Sequence, residues 1–163
     1  MTQKDSIDEM VERELKVFPD LDPQTEAAVN RISKVGKFLK RNFEVMSLRH
    51  GINQGEAHVL IKVRRADGGA SPGYLAESLM VSTGAMTNRL DRLEEGGLIR
   101  RDRDPDDRRA TIVRLTDRGV GVLDTFVSEI GKKERDRLSV LSRAELKQLN
   151  GLLRKIVLSF ERE

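Results

Sequence analysis

Residues 82 to 119 read STGAMTNRLDRLEEGGLIRRDRDPDDRRATIVRLTDRG, and the order of elements in this stretch decides the fold. Ser82 is suited to capping a helix, and Ala85, Met86, Leu90 and Leu93 follow at helical spacing, so a helix is expected from Ser82 to Glu95. Gly96 and Gly97 stop it. Leu98 to Arg103 then run into Asp104-Pro105-Asp106-Asp107, a tight turn with proline in its second position, before the β-branched run Thr111-Ile112-Val113. Helix, strand, turn and strand in that order describe a helix with a two-stranded wing at its end.

The chemistry on this frame suits double-stranded DNA. Ser82, Thr83, Gly84, Thr87, Asn88 and Arg89 occupy the first half of the helix, and no acidic residue precedes Asp91. Hydroxyls and backbone N–H groups there can take phosphates, amide and guanidinium groups can take base edges, and no carboxylate opposes the duplex. Arg92, one turn further on, and Ser71, at the start of the preceding helix, extend the set. Just past the turn, Arg108 and Arg109 place guanidinium groups where a narrow minor groove would hold them, and Asp107, the last residue of the turn, belongs to the same candidate DNA-binding set. The alternative is a non-catalytic protein-interaction module on the same scaffold, its basic wing meeting an acidic protein.

Outward from the wing, further helices are expected. Asn53 can cap one holding Ala57, Leu60, Ile61 and Val63 to near Arg65; Gly68-Gly69 makes a loop; Ser71-Pro72 starts another through Leu75, Ala76 and Leu79. Ser71 to Glu95 therefore reads as a helix-turn-helix. Gly68, Gly69 and Gly73 lack both a preceding strand and a Gly-Lys-Ser/Thr ending, so they mark a loop and a helix entry rather than a phosphate loop. Asp22-Pro23 opens a long helix whose apolar positions, Ala28, Ile32, Val35, Leu39, Phe43 and Met46, step by threes and fours to about Arg49. A helix capped by Thr116 carries Val120, Leu123, Val127 and Ile130, and Leu146, Leu149, Leu153, Ile156 and Phe160 repeat the stripe near the C-terminus. Ser6 to Val17 forms a shorter helix capped by Ser6. Such narrow stripes serve intramolecular packing or a second copy of the chain equally well.

Composition narrows the function classes. The 163 residues can bury a sizeable core as one domain, residues 1–163. A net charge of +3 permits nucleic acid without requiring it. With no cysteine, disulfides, Cys-based zinc sites and reactive-thiol sensing are excluded. His50 and His58 are the only histidines and belong to no HExxH pattern; there is no Gly-x-Ser-x-Gly elbow and no metal-spaced carboxylate cluster. An enzyme is not expected, nor any cofactor or metal. No apolar run approaches a membrane span, so no membrane partner and a cytoplasmic location are expected.

Asp107-x-Arg109, five residues, Leu115-Thr116 and then Gly119, preceded by Asn88-Arg89-Leu90 and Gly97-Leu98, resemble the wing signature of the multiple-antibiotic-resistance regulator (MarR) family. The resemblance covers the chain from about Leu21 onward. It implies a mainly α fold, a winged helix-turn-helix over residues 53–115 held by long dimerisation helices in 1–50 and 116–163. It also implies a homodimeric transcription regulator, usually a repressor on a pseudo-palindromic operator, released by a small ligand. The chain is most similar to members that have an extra N-terminal helix and respond to anionic metabolites. Their ligand-binding arginines match Arg89 and Arg101, and His58 stands where they usually carry aspartate. With no tryptophan in the N-terminal helix either, the resemblance implies a small carboxylate effector rather than urate, held by His58, Arg89 and Arg101.

Overall fold

A computed structural model describes residues 4–103 and 110–162, and the chain falls into two compact units, residues 1–54 and 55–163. The first unit is a short helix on a long one: α1 (Ser6–Glu14) and α2 (Pro23–Arg49). The second runs α3 (Gln54–Arg65, beginning one residue before the unit), α4 (Pro72–Ser78), α5 (Thr83–Glu95), β1 (Ile99–Arg103), β2 (Thr111–Leu115), α6 (Asp117–Leu138) and α7 (Arg143–Phe160).

The helix starts follow cap chemistry. Asp22 accepts from the Thr25 N–H with Pro23 in the first turn, Ser71 accepts from Tyr74, Ser82 from Ala85 and Thr116 from Gly119. The first helix differs from expectation at both ends. Its cap is Asp5 rather than Ser6, because the Asp5 carboxylate takes both the Ile7 and Asp8 N–H groups while the Asp8 side chain returns to the Asp5 N–H. It ends at Glu14, not Val17. The residue before Pro19 is driven towards extended backbone, so Val17 and Phe18 close as turns onto the Glu14 carbonyl. A second capping box, Ser142 with Glu145, opens α7.

In the first unit, Ile7 and Val11 of α1 are buried, and Arg31 of α2 binds Asp5 (2.9 Å) and Asp8 (2.6 Å). Its guanidinium holds the Asp5 carboxyl well below the usual carboxylate range. The apolar stripe of α2 remains in solvent, with Ile32, Val35 and Leu39 about half exposed, and no residue of α7 in the second unit is buried.

The core of the second unit is built from Val59 and Leu60 of α3, Leu75 of α4, Met86, Leu90 and Leu93 of α5, Val113 of β2, and Leu123 and Phe126 of α6. β1 and β2 pair antiparallel with Ile99 opposite Leu115 and Arg103 opposite Thr111. Ala70 adds a bridge that the sequence did not announce: its N–H donates to the Val113 carbonyl (3.0 Å) and its carbonyl accepts from Val113 (2.9 Å). Gly69 makes this approach possible, since at φ 111° a Cβ there would lie 2.5 Å from Ile112 Cγ2.

The turn of the helix-turn-helix has an unusual occupant. Met80, 93% exposed, adopts φ 51°, a left-handed conformation that glycine favours. At the wing root, Thr116 Oγ1 donates to the Gly97 carbonyl (2.7 Å) and its N–H to Leu98 (3.1 Å), so the first turn of α6 is pressed against the chain leaving α5. Gly119 sits in that contact, and a Cβ there would meet the Leu98 carbonyl oxygen at 1.9 Å. Gly119→Ala should therefore cost about 3 kcal/mol through forced backbone displacement. Urea unfolding measures it, and a midpoint within error of wild type would contradict the contact.

Candidate nucleic-acid interface

The recognition helix is set by what it buries. Met86, Leu90 and Leu93 are each 1% exposed, which turns the opposite face of α5 to solvent. Ser82, Thr83, Gly84, Thr87 and Asn88 all lie on that exposed side, and the Thr87 hydroxyl is bound to the Thr83 carbonyl (3.0 Å). No acidic residue lies in the first turn, so the N-terminal N–H groups of α5 look outward undiluted by carboxylate charge. Ser71 is half-buried at the α4 cap.

The two arginines of α5 are held differently. Arg89 is half-buried and folded back on α3. Its guanidinium lies where a side chain on Gly55 would be, 2.8 Å from that missing Cβ, and close enough to His58 to repel a proton from the imidazole. Arg92 is 55% exposed but its Nε donates to Glu56 Oε1 (2.7 Å), a carboxylate only 9% exposed. Glu56 and Gly55 are therefore supports of the two α5 arginines that sequence reasoning missed. Both face α5 from α3, and only the packing of the two helices shows it.

Of the three residues expected around an effector, His58 and Arg89 come together. Arg101 lies elsewhere in its bonding: it donates from Nη2 to Asp91 (2.6 Å), from Nη1 to Glu94 (3.0 Å) and from its own backbone N–H to the same Glu94 carboxylate (3.1 Å). An incoming anion would have to replace those carboxylates. Asp107, Arg108 and Arg109 fall outside the described residues; the strands leading to them, β1 and β2, are in place. Among the described residues no group of His, Asp or Glu is gathered to hold a metal, and no helix is long and apolar enough to cross a membrane.

A helix-turn-helix that offers the bare face of its second helix, with a β-wing directly after it, defines a winged helix-turn-helix DNA-binding protein. The chain belongs to the MarR family of transcriptional regulators: the family's sequence model matches residues 52–111, and the HTH-type transcriptional regulator PecS of Dickeya dadantii (strain 3937) is 32% identical over 140 residues, 85% of this chain and 84% of that one. Apo MarR from Escherichia coli superposes with a TM-score of 0.68 at 27% identity, over 78% of this chain and 93% of that one. A mutant of Staphylococcus aureus MepR bound to an oligodeoxyribonucleotide shares the fold, with a TM-score of 0.62 at 23% identity over 82% and 97% of the two chains. The protein is thus a DNA-binding transcriptional regulator.

The environment of His58 gives a measurable pH dependence. Burial, and secondarily the Arg89 guanidinium, push its pKa below the usual 6.5. On acidification the unfolded chain takes up this proton first, so the stability that the neutral ring contributes is complete above pH 6.5 and is lost as pH falls through the folded-state value. Thermal melts between pH 7.5 and 5 should show wild type losing more stability than His58→Asn; parallel curves would remove His58 as the titrating group.

Proposed function

We propose that the protein is a homodimeric repressor that reads a pseudo-palindromic operator and is released by a small carboxylate. The observation that carries this reading is the carboxylate-free, solvent-exposed first half of α5, with Thr83, Thr87 and Asn88 available to phosphates and base edges.

The dimer is supported by the apolar residues left in solvent on helices from both ends of the chain. Val29, Ile32, Val35, Phe38 and Leu39 of α2, and Leu152, Ile156, Val157 and Phe160 of α7, are each more than 40% exposed, more apolar surface than a soluble monomer ordinarily leaves uncovered. A second copy covers such faces in a closed two-fold arrangement. The residues 1–50 and 116–163 then form the dimerisation region and 53–115 the reader. Two recognition helices related by the dimer axis would sit about 34 Å apart, one turn of duplex.

For the effector, the paired His58 and Arg89 offer a carboxylate one imidazole and one guanidinium on the inner side of the recognition helix. Arg101 joins them only by exchanging Asp91 and Glu94 for the ligand. That exchange would loosen the tie between α5 and β1 and so couple ligand to the placement of the recognition helix. Anion binding favours protonated His58, so affinity for the carboxylate should rise as pH falls.

Selection of bound duplexes from a random pool at near-physiological salt tests the reading: an inverted repeat should be enriched. On the selected site, Asn88→Ala should cost about 1–3 kcal/mol and relax preference at one position of each half-site, while Arg109→Ala should weaken binding across sequences and lower the salt slope by about 1 for each phosphate no longer neutralised. Equal losses of affinity and discrimination in both variants would contradict this division. Indifference to base order, with retained binding to an acidic protein, would favour the interaction-module alternative.

A further inference from the structure

On the face of the wing opposite Arg101, the structure has a cavity of about 260 Å³ between the C-terminal end of α3, the Gly68-Gly69 loop, the two strands and the start of α6. Three guanidinium groups line it: Arg64 from α3, Arg100 from β1 and Arg114 from β2. Leu115 and Val120 give it an apolar side.

Two of these arginines face each other across the sheet and share one carboxylate. Arg100 and Arg114 are direct partners in the strand register, and like charges facing each other across two strands oppose pairing. Their one shared counter-ion is Asp102, whose Oδ2 is 2.9 Å from Arg100 Nε and 3.4 Å from Arg114 Nε. A single oxygen shared by two forks leaves most of their N–H donors without a carboxylate partner among the described residues. Arg64 is exposed and has no carboxylate partner among the described residues. Of the charged residues that line the space, three are arginines and one, Asp67, is acidic; Asp102, bonded to Arg100, and Asp117, which acts on Arg100 through its charge, are not part of the lining.

The loop keeps the site open. Gly68 has φ 96°, and its missing Cβ would stand 4.0 Å from Arg114 Nη1; a longer side chain there would enter the space in front of that guanidinium. This differs from a phosphate loop, since the donors are side chains from three elements and not successive backbone N–H groups.

We propose that this cavity is a binding site for a phosphate group. Guanidinium forks from three directions suit a tetrahedral dianion with several acceptor oxygens better than a planar carboxylate, which one fork can satisfy. At roughly 30 Å³ for each liquid water, the volume exceeds what a bare phosphate needs and leaves room beside Leu115 and Val120 for a small organic group. The phosphate belongs either to a free phosphomonoester or to the backbone of bound DNA.

The test uses the full-length protein with inorganic phosphate and then phenyl phosphate, at ionic strength matched with sodium chloride. Each should raise the melting temperature with the logarithm of its concentration above Kd, by about 3 °C at ten times that value. Arg64→Glu, on the exposed surface of α3, should abolish the rise, and Arg114→Ala should reduce it. A free ligand predicts that Arg64→Ala leaves the salt dependence of operator binding intact. A backbone phosphate predicts that Arg64→Ala lowers that slope by about 1. The proposal is overturned if phosphate gives no rise beyond that of ionic-strength-matched chloride, or if the rise survives Arg64→Glu, while the DNA salt slope of Arg64→Ala also stays at its wild-type value.

Discussion

The exposed polar face of α5 depends on the burial of three side chains. Met86, Leu90 and Leu93 fill one face of α5 almost completely. Fully burying side chains of this size contributes on the order of 2 kcal/mol each, enough to fix the rotation of a helix about its own axis. Once that rotation is fixed, Thr83, Gly84, Thr87 and Asn88 have only solvent in front of them. Arg89 and Arg92 fall on the flanks, where α3 meets them with Gly55, His58 and Glu56. The polar interface is thus specified by an apolar constraint on the other side of the same helix.

The wing is held by a second constraint of the same kind. Thr116 ties α6 to the chain leaving α5, Gly119 permits that contact, and Ala70 joins β2 from the far side. Arg101 faces α5 from β1 while Arg100 faces the opposite side, since successive residues of a strand alternate. One pair of neighbouring arginines therefore serves two unrelated surfaces. Arg101 carries its own carboxylates, Asp91 and Glu94, at close range; Arg100 shares a single aspartate with Arg114.

Local chemistry was legible in the sequence, and long-range partnership was not. Asp22-Pro23, Ser71-Pro72, Ser82 and Thr116 announced their helices because a cap is a contact between residues three apart. The same locality explains the one displaced cap: Asp5 and Ser6 are adjacent candidates, and the choice was made by Arg31, 26 residues away, together with the reciprocal bond from Asp8. The exposed side of α5 followed from periodicity. That Arg89 turns back onto α3 did not, because it requires knowing that Gly55 stands opposite. Glu56 looked like one more acidic residue in the first turn of a helix; its nearness to Arg92, 36 residues on, comes only from packing α3 against α5. The MarR family resemblance rested on the wing motif and agrees with the relatives and the fold.

Met80 serves the turn between α4 and α5 through its backbone alone. Its left-handed φ redirects the path into the recognition helix, while a side chain 93% exposed contributes almost nothing to packing. A position whose side chain is dispensable, in a protein that has no cysteine, is a ready attachment point. A single thiol introduced there would carry a fluorophore or spin label at the corner of the helix-turn-helix, where the arrival of a duplex could be followed in real time.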